Sequence, residues 1–254
     1  MRPLRLVLVA SELAPFAKTG GLADVLAGLG RFLQQQGHEV RLFLPLYKRI
    51  SDSGLARQQL AGAQQIDVRF PHRTIRCSIS TAPLPNSTAL VHFVDCPELY
   101  QRDGLYTEDG DEPLRWGFLC RAVLETCQRL QWAPDIVHCN DWHTGLLPLY
   151  LKAGYAWDRL FASVRTVLTI HNIAYQGVFA DSQLDTLALG DQRAQVHHGD
   201  LRDGRVNFLK TGVLHATRLT TVSPTYAREI QTSEYGMGMD ELLKSRSSQL
   251  VGIL

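Results

Sequence analysis

The segment Lys18-Thr19-Gly20-Gly21-Leu22-Ala23-Asp24-Val25 lies between an apolar run from Leu4 to Ala10 and an amphipathic run from Leu22 to Gln36. A strand, a glycine pair and a helix start in that order aim backbone N–H groups and the positive helix end at one point, and a lysine beside them adds a full charge. Such a corner holds phosphate. Two readings stay open: a phosphate cradle, or a plain tight turn in which Lys18 is a solvated surface charge. The two common phosphate fingerprints do not fit, because there is no G-x-G-x-x-G at this strand end and no G-x-x-x-x-G-K-[ST] anywhere. Dinucleotide-binding and P-loop readings lose most of their support.

His171-Asn172, followed by Tyr175-Gln176-Gly177, brings donors, acceptors and a flat ring to another predicted strand end. That set suits a polyhydroxylated sugar, with a structural loop histidine as the alternative. His138, Asp141 and His143 offer imidazole and carboxylate, the donor types of a metal site. His138, however, sits in an apolar strand and reads as a satisfied core histidine, and Asp141 reads as a cap on the helix that follows. No metal is expected. Asp141 and His143 then either face a cleft and bond sugar hydroxyls, or serve only capping and packing. Tyr100 is either a packed loop tyrosine or a stacking platform for sugars. The run His197-His198-Gly199-Asp200 reads as solvent-facing and is assigned no role.

These groups act together only if strands bring them together. Leu22, Val25, Leu26, Leu29, Phe32 and Leu33 recur every three or four residues, which predicts one apolar stripe on a helix that Gly37 ends. Strand-like runs follow at Glu39 to Leu44, Ile66 to Phe70, Ile75 to Ala82 and Ala89 to Val94. A Gln-rich stretch (Gln58 to Gln65) precedes the middle runs, which read as a hairpin excursion. Past the Asp103 to Glu112 loop come a helix from Leu114 to Leu130, a strand Ile136 to His138, a helix Gly145 to Lys152 and a strand Ser163 to Thr169. A helix near Arg205 to His215, a strand Leu219 to Val222, a helix opened by Pro224 and an apolar stretch Leu250 to Leu254 complete the pattern. This alternation predicts one domain, a doubly wound, Rossmann-like parallel sheet with helices on both faces, whose ligands bind at the carboxyl ends of the strands. Lys18, Asp141 to His143 and His171-Asn172 each follow such an end.

Composition narrows the class. The 254 residues are 45% hydrophobic and carry a net charge of +1, so no nucleic-acid or anionic-membrane partner is implied. Cys77, Cys96, Cys120, Cys127 and Cys139 form an odd set without a C-x-x-C pair, which predicts reduced thiols rather than a disulfide framework or zinc ribbon. Met1-Arg2-Pro3-Leu4-Arg5 imitates a signal peptide, but the apolar run stops at Ser11-Glu12 and reads as a strand. No apolar run approaches the ~18 residues of a membrane span. The expectation is a soluble cytoplasmic enzyme.

Five segments resemble bacterial glycogen synthases and plant starch synthases. They are Lys18 to Val25, Tyr100-Gln101-Arg102-Asp103-Gly104-Leu105-Tyr106, His138-Cys139-Asn140-Asp141-Trp142-His143, Thr169-Ile170-His171-Asn172-Ile173-Ala174-Tyr175-Gln176-Gly177 and Thr220-Thr221-Val222-Ser223-Pro224-Thr225-Tyr226. The resemblance implies a retaining GT-B transferase that moves glucose from ADP-glucose to the non-reducing end of an α-1,4-glucan without a cofactor. It implies that residues 1–254 are the N-terminal, acceptor-side domain and that a nucleotide-binding domain follows, so the isolated chain should bind ADP-glucose weakly and not turn over. Lys18, Gly20, Gly21, His171 and Asn172 are expected on ADP-glucose; Tyr100, Asp141 and His143 on the acceptor; and His171, Lys18 and Asp141 in catalysis. A plant member would reside in the plastid. The alternatives are a related two-domain sugar transferase or phosphorylase, a non-catalytic glucan-binding module, and a Rossmann oxidoreductase, which would lack its glycine fingerprint here.

Overall fold

The computed structural model describes residues 2–254; Met1, the first residue of the expected domain, lies outside them. The strands are β1 (Arg5–Val9), β2 (Glu39–Pro45), β3 (Gln58–Gln59), β4 (Ile66–Phe70), β5 (Arg73–Pro83), β6 (Leu90–Asp95), β7 (Ile136–Asn140), β8 (Arg165–Ile170), β9 (Val178–Ala180), β10 (Arg205–Asn207), β11 (Arg218–Thr221) and β12 (Leu250–Gly252). The main sheet runs β12-β11-β8-β7-β1-β2-β6-β5-β3. From β12 to β6 every pairing is parallel; β5 joins antiparallel to β6 and also forms the predicted hairpin with β4. Parallel strands covered on both faces read as continuous apolar runs, as Val7-Leu8-Val9 and Leu42-Phe43-Leu44 do, and all six side chains are buried.

The chain leaves β1 towards β2 and β6 on one side of the sheet, then returns to β7 and continues outward to β8, β11 and β12 on the other. The direction of winding therefore reverses between β1 and β7. A crevice opens at such a switch point, outside the carboxyl ends of the strands.

The helix Leu22–Gln35 ends as expected at Gly37, whose φ of +87° lets Gly37 N–H reach Gln34 O at 2.9 Å and His38 N–H reach Leu33 O at 3.2 Å. Its buried face differs from the expected stripe. Ala23, Ala27 and Gly30 pack inward with Leu22 and Leu26, while Val25 and Phe32 are exposed. Small residues bring this helix close to the sheet: a Cβ on Gly30 would stand 2.9 Å from a Leu42 methyl. The expected helix near Arg205 also starts late. Arg205–Asn207 pairs antiparallel with β9, and the helix is Phe208–His215, because Asn207 Oδ1 caps it by accepting from Lys210 N–H at 2.9 Å. Among the described residues no helix is long and apolar enough to cross a membrane.

Candidate active site at the strand-end cleft

A cleft of about 590 Å³ opens over the switch point, lined by residues that follow β1, β7, β8 and β11. Its first wall is built on Glu12, just past β1. The carboxylate accepts from Thr19 N–H at 2.5 Å, Thr19 Oγ1 at 2.6 Å, Gly20 N–H at 3.1 Å and the Tyr106 hydroxyl at 2.6 Å. Burial pushes the Glu12 carboxyl up, but the hydrogen bonds from Thr19, Tyr106 and the two amides outweigh it and hold it below its ordinary value. Gly20 and Gly21 line the cleft directly after this anchor. Neither has a positive φ, and a Cβ at either would meet no atom within 4 Å. Turn geometry therefore does not require them; the space in front of their backbone is open.

The opposite wall is Asp141 and the loop after β8. Asp141 has φ 55° and ψ −174°, a region costly for any side chain but glycine. That backbone turns its carboxylate away from the short helical turn Trp142–Thr144, which it does not cap. Asp141 Oδ1 instead accepts from His171 N–H at 2.7 Å and Asn172 N–H at 3.4 Å. The expected helix cap is thus corrected: Asp141 ties one strand end to the next. Burial pushes its carboxyl up to about 7, against the pull of those two amides, with Glu12 adding a further upward push. His171 Nε2 lies 2.9 Å from Asn140 Oδ1, while Asn140 Nδ2 donates to Val9 O at 3.0 Å. The amide is thereby oriented with its oxygen towards His171, so Nε2 carries the proton and Nδ1 keeps its lone pair. Burial lowers the imidazole to about 4, so it is neutral at physiological pH.

The floor is aromatic. His143 stacks on Trp142 with ring centroids 4.0 Å apart and on Tyr106 at 4.9 Å, meets Trp116 edge-on at 4.5 Å, and its Nδ1 lies 3.3 Å from Ser11 Oγ. It reaches the cleft, but burial and Arg115 hold it neutral. Gly177 closes this floor with φ +62°, and a Cβ there would stand 2.2 Å from the Trp142 ring.

Of the residues singled out by sequence, Gly20, Gly21, Asp141, His143, His171 and Asn172 converge on this cleft. Lys18 does not line it: it precedes the lining residue Thr19, half exposed, with Nζ 2.6 Å from Asp24 Oδ2. Tyr100 is corrected: it is fully buried, its hydroxyl donates to Arg115 O at 2.9 Å, and it cannot stack on a sugar. The tyrosine that reaches the cleft is Tyr106, from the same quoted segment. The Glu112 carboxylate, paired with buried Arg115, accepts from Trp116 Nε1 at 2.7 Å and Thr107 N–H at 3.1 Å. Arg115 also donates to Leu99 O at 2.9 Å and Leu105 O at 3.1 Å, so the whole loop is fixed with Tyr106 outward. His138 is the satisfied core histidine expected, with Nε2 2.6 Å from Thr169 Oγ1. Glu12 escapes notice in the sequence; the one signal is an acid directly after a buried apolar strand and seven residues before the threonine it holds.

The sheet order, the switch-point cleft and the quoted segments place the protein in a defined class. The chain matches the starch synthase catalytic domain family over residues 5–245, and it belongs to that family. It is 42% identical over 261 residues to the glycogen synthase of Desulforudis audaxviator, and 40% identical over 258 residues to glycogen synthase 1 of Geobacter sulfurreducens. Each alignment covers 100% of this chain and 51% of the relative. The catalytic domain of starch synthase IV from Arabidopsis thaliana, bound to ADP and acarbose, superposes with a TM-score of 0.89 at 32% identity, over 100% of this chain and 52% of that one. The chain spans about half the length of the curated relatives it matches.

Proposed function

We propose that this chain is the first, acceptor-side half of a two-domain GT-B glucosyltransferase that moves glucose from ADP-glucose to the non-reducing end of an α-1,4-glucan with retention. The observation that carries this reading is the meeting of two devices in one cleft: the Glu12-anchored Thr19-Gly20-Gly21 corner and the Asp141–His171 pair. The ADP and acarbose held by the Arabidopsis neighbour support a nucleotide and a saccharide as ligands. The rest of the cleft belongs, in this reading, to a nucleotide-binding domain C-terminal to this chain.

Each residue then has a task. A departing nucleoside diphosphate gains negative charge, and the amides at Gly20-Gly21, the start of the following helix and Lys18 stabilise it most in the transition state. Lys18 is free to turn towards that charge, since its exposed pair with Asp24 is worth at most about 1 kcal/mol. Neutral His171 presents Nδ1 and its backbone carbonyl, both acceptors that suit a sugar developing oxocarbenium character. Asp141 holds the His171-Asn172 loop and, with His143 and Tyr106, faces the acceptor hydroxyls. The test is steady-state transfer by the full-length protein from ADP-glucose and UDP-glucose to maltooligosaccharides. The expected result is ADP-glucose preference and a large loss of kcat in His171→Ala; wild-type turnover by that variant would overturn the assignment.

A further inference from the structure

A second concavity, about 570 Å³, lies between β4 and the C-terminal half of the long helix Glu112–Arg129. Arg129 stands about 20 Å of helix beyond Trp116, which belongs to the floor of the strand-end cleft. Arg69 from β4 and Arg121 and Arg129 from the helix line it, and none of the three has an ion-pair partner among the described residues.

Arg121 is the informative one. Its Nε is buried without a hydrogen-bond partner, and its guanidinium stands 5.1 to 5.8 Å from the ring centroids of Phe70, Tyr150 and Tyr155. The natural helical partner, Glu125 at i+4, accepts instead from the Tyr155 hydroxyl at 2.6 Å. Asp67, the other carboxylate lining the site, is taken by Arg76 at 2.6 Å. Aromatic faces hold the Arg121 guanidinium in place without neutralising it, and with three arginines against the Asp67 and Glu125 carboxylates, Asp67 also being offset by Arg76, the cavity keeps a positive excess. At its rim the Trp157 indole is 74% exposed, oriented by Nε1 donating to Gly154 O at 3.0 Å. Arginine forks match phosphate oxygens, and an exposed indole offers a flat apolar face to a sugar ring.

We propose that this groove is a binding site for a small phosphate monoester of a sugar, with Arg69, Arg121 and Arg129 on the phosphate and Trp157 against the sugar. The site lies on a different part of the molecule from the strand-end cleft and does not depend on the reaction assigned there. The shared chemistry with free phosphate is separated by the indole, which only the ester engages.

The test is NMR titration of the 254-residue chain with inorganic phosphate and with glucose 1-phosphate, each up to about 10 mM. Glucose 1-phosphate is expected to shift the Trp157 indole N–H. Arg69→Gln combined with Arg129→Gln, both at exposed positions, is expected to weaken both probes about tenfold. Trp157→Ala is expected to weaken only the ester. Absence of a shift at Trp157, or retention of affinity in the double arginine variant, would overturn the proposal. Melting curves of the variants show that a lost response is not lost folding.

Discussion

Glu12 and Thr19 are joined through both carboxylate oxygens: Oε2 accepts from the Thr19 N–H at 2.5 Å and Oε1 from its hydroxyl at 2.6 Å. This clasp sets where the glycine pair begins and carries the Tyr106 hydroxyl on the same carboxylate. The Thr19-Gly20 corner is therefore held by Glu12, a side chain outside the Lys18 to Val25 motif.

Glu12→Gln tests the clasp. Because the folded protein holds this carboxyl below its ordinary value, its contribution is present above the unfolded value, about pH 4.3, and is lost as acid carries the pH down through the folded value. Wild type is expected to lose melting temperature more steeply than the variant between about pH 5 and pH 3. In the full-length protein the variant should raise the KM for ADP-glucose. Parallel acid-melting profiles would remove Glu12 from this role.

Asp141→Asn is expected to stabilise the protein at alkaline pH while impairing the full-length enzyme. The folded-state carboxyl is raised to about 7 from 3.8, so stability falls as the pH climbs through that interval, by roughly 4 kcal/mol in all. Asparagine keeps an oxygen for the His171 and Asn172 amides and tolerates φ 55° better than most residues. Calorimetry should show the variant melting several degrees above wild type at pH 8 and close to it at pH 4. The same melting difference at both pH values would contradict the buried-carboxyl account.

Lys18→Ala should separate binding from folding. The lysine is exposed and loses only a surface pair, so melting is expected to change by no more than a degree or two. Full-length turnover should lose on the order of 2–4 kcal/mol of transition-state stabilisation. Steady-state kinetics equal to wild type would make Lys18 a surface charge only.

His171→Ala and His143→Ala should differ in which loss dominates, kcat for the first and stability for the second. Removing His171 leaves the buried Asn140 oxygen without its partner, which costs about 1–3 kcal/mol of stability, and it abolishes most of kcat in the full-length enzyme. Removing His143 opens a hole among Tyr106, Trp116 and Trp142 and should cost about 3–5 kcal/mol. Melting curves and initial rates on the same preparations distinguish them.

Maltotetraose or maltopentaose should bind this chain weakly, nearer millimolar than micromolar, since sugar hydroxyls exchange water for protein partners at little net gain. Chemical-shift changes are expected at Tyr106, Asp141 and the Lys18 loop, and none at Tyr100, which no ligand can reach. Shifts confined to regions outside the strand-end cleft would move the acceptor site elsewhere.

The sequence by itself determined the sheet and most of its strand ends. Runs such as Leu6 to Ala10 have nowhere to go but a parallel strand buried on both faces, and Gly37 or Pro224 punctuates helices through backbone restrictions that act locally. It also marked Gly20, Gly21, Asp141 and His171 as strand-end groups, since the winding order brings such ends together. Pairings between distant residues were decided only by the tertiary structure. Tyr100 and Tyr106 sit in one short segment and are chemically the same. The buried Arg115, bonding Leu99 and Leu105 carbonyls, puts the first in the core and the second in the cleft. Asp141 could cap a helix or tie two strand ends, and its positive φ, set where β7 meets the Trp142 and His143 packing, chose the second. Glu12 became the anchor of the Thr19-Gly20 turn because folding left its carboxylate beside two amides, a hydroxyl and a phenol that outweigh its burial. Local rules fix where an element starts and stops; which polar group is satisfied by which depends on what packing brings within 3 Å, and no spacing in the chain encodes that distance.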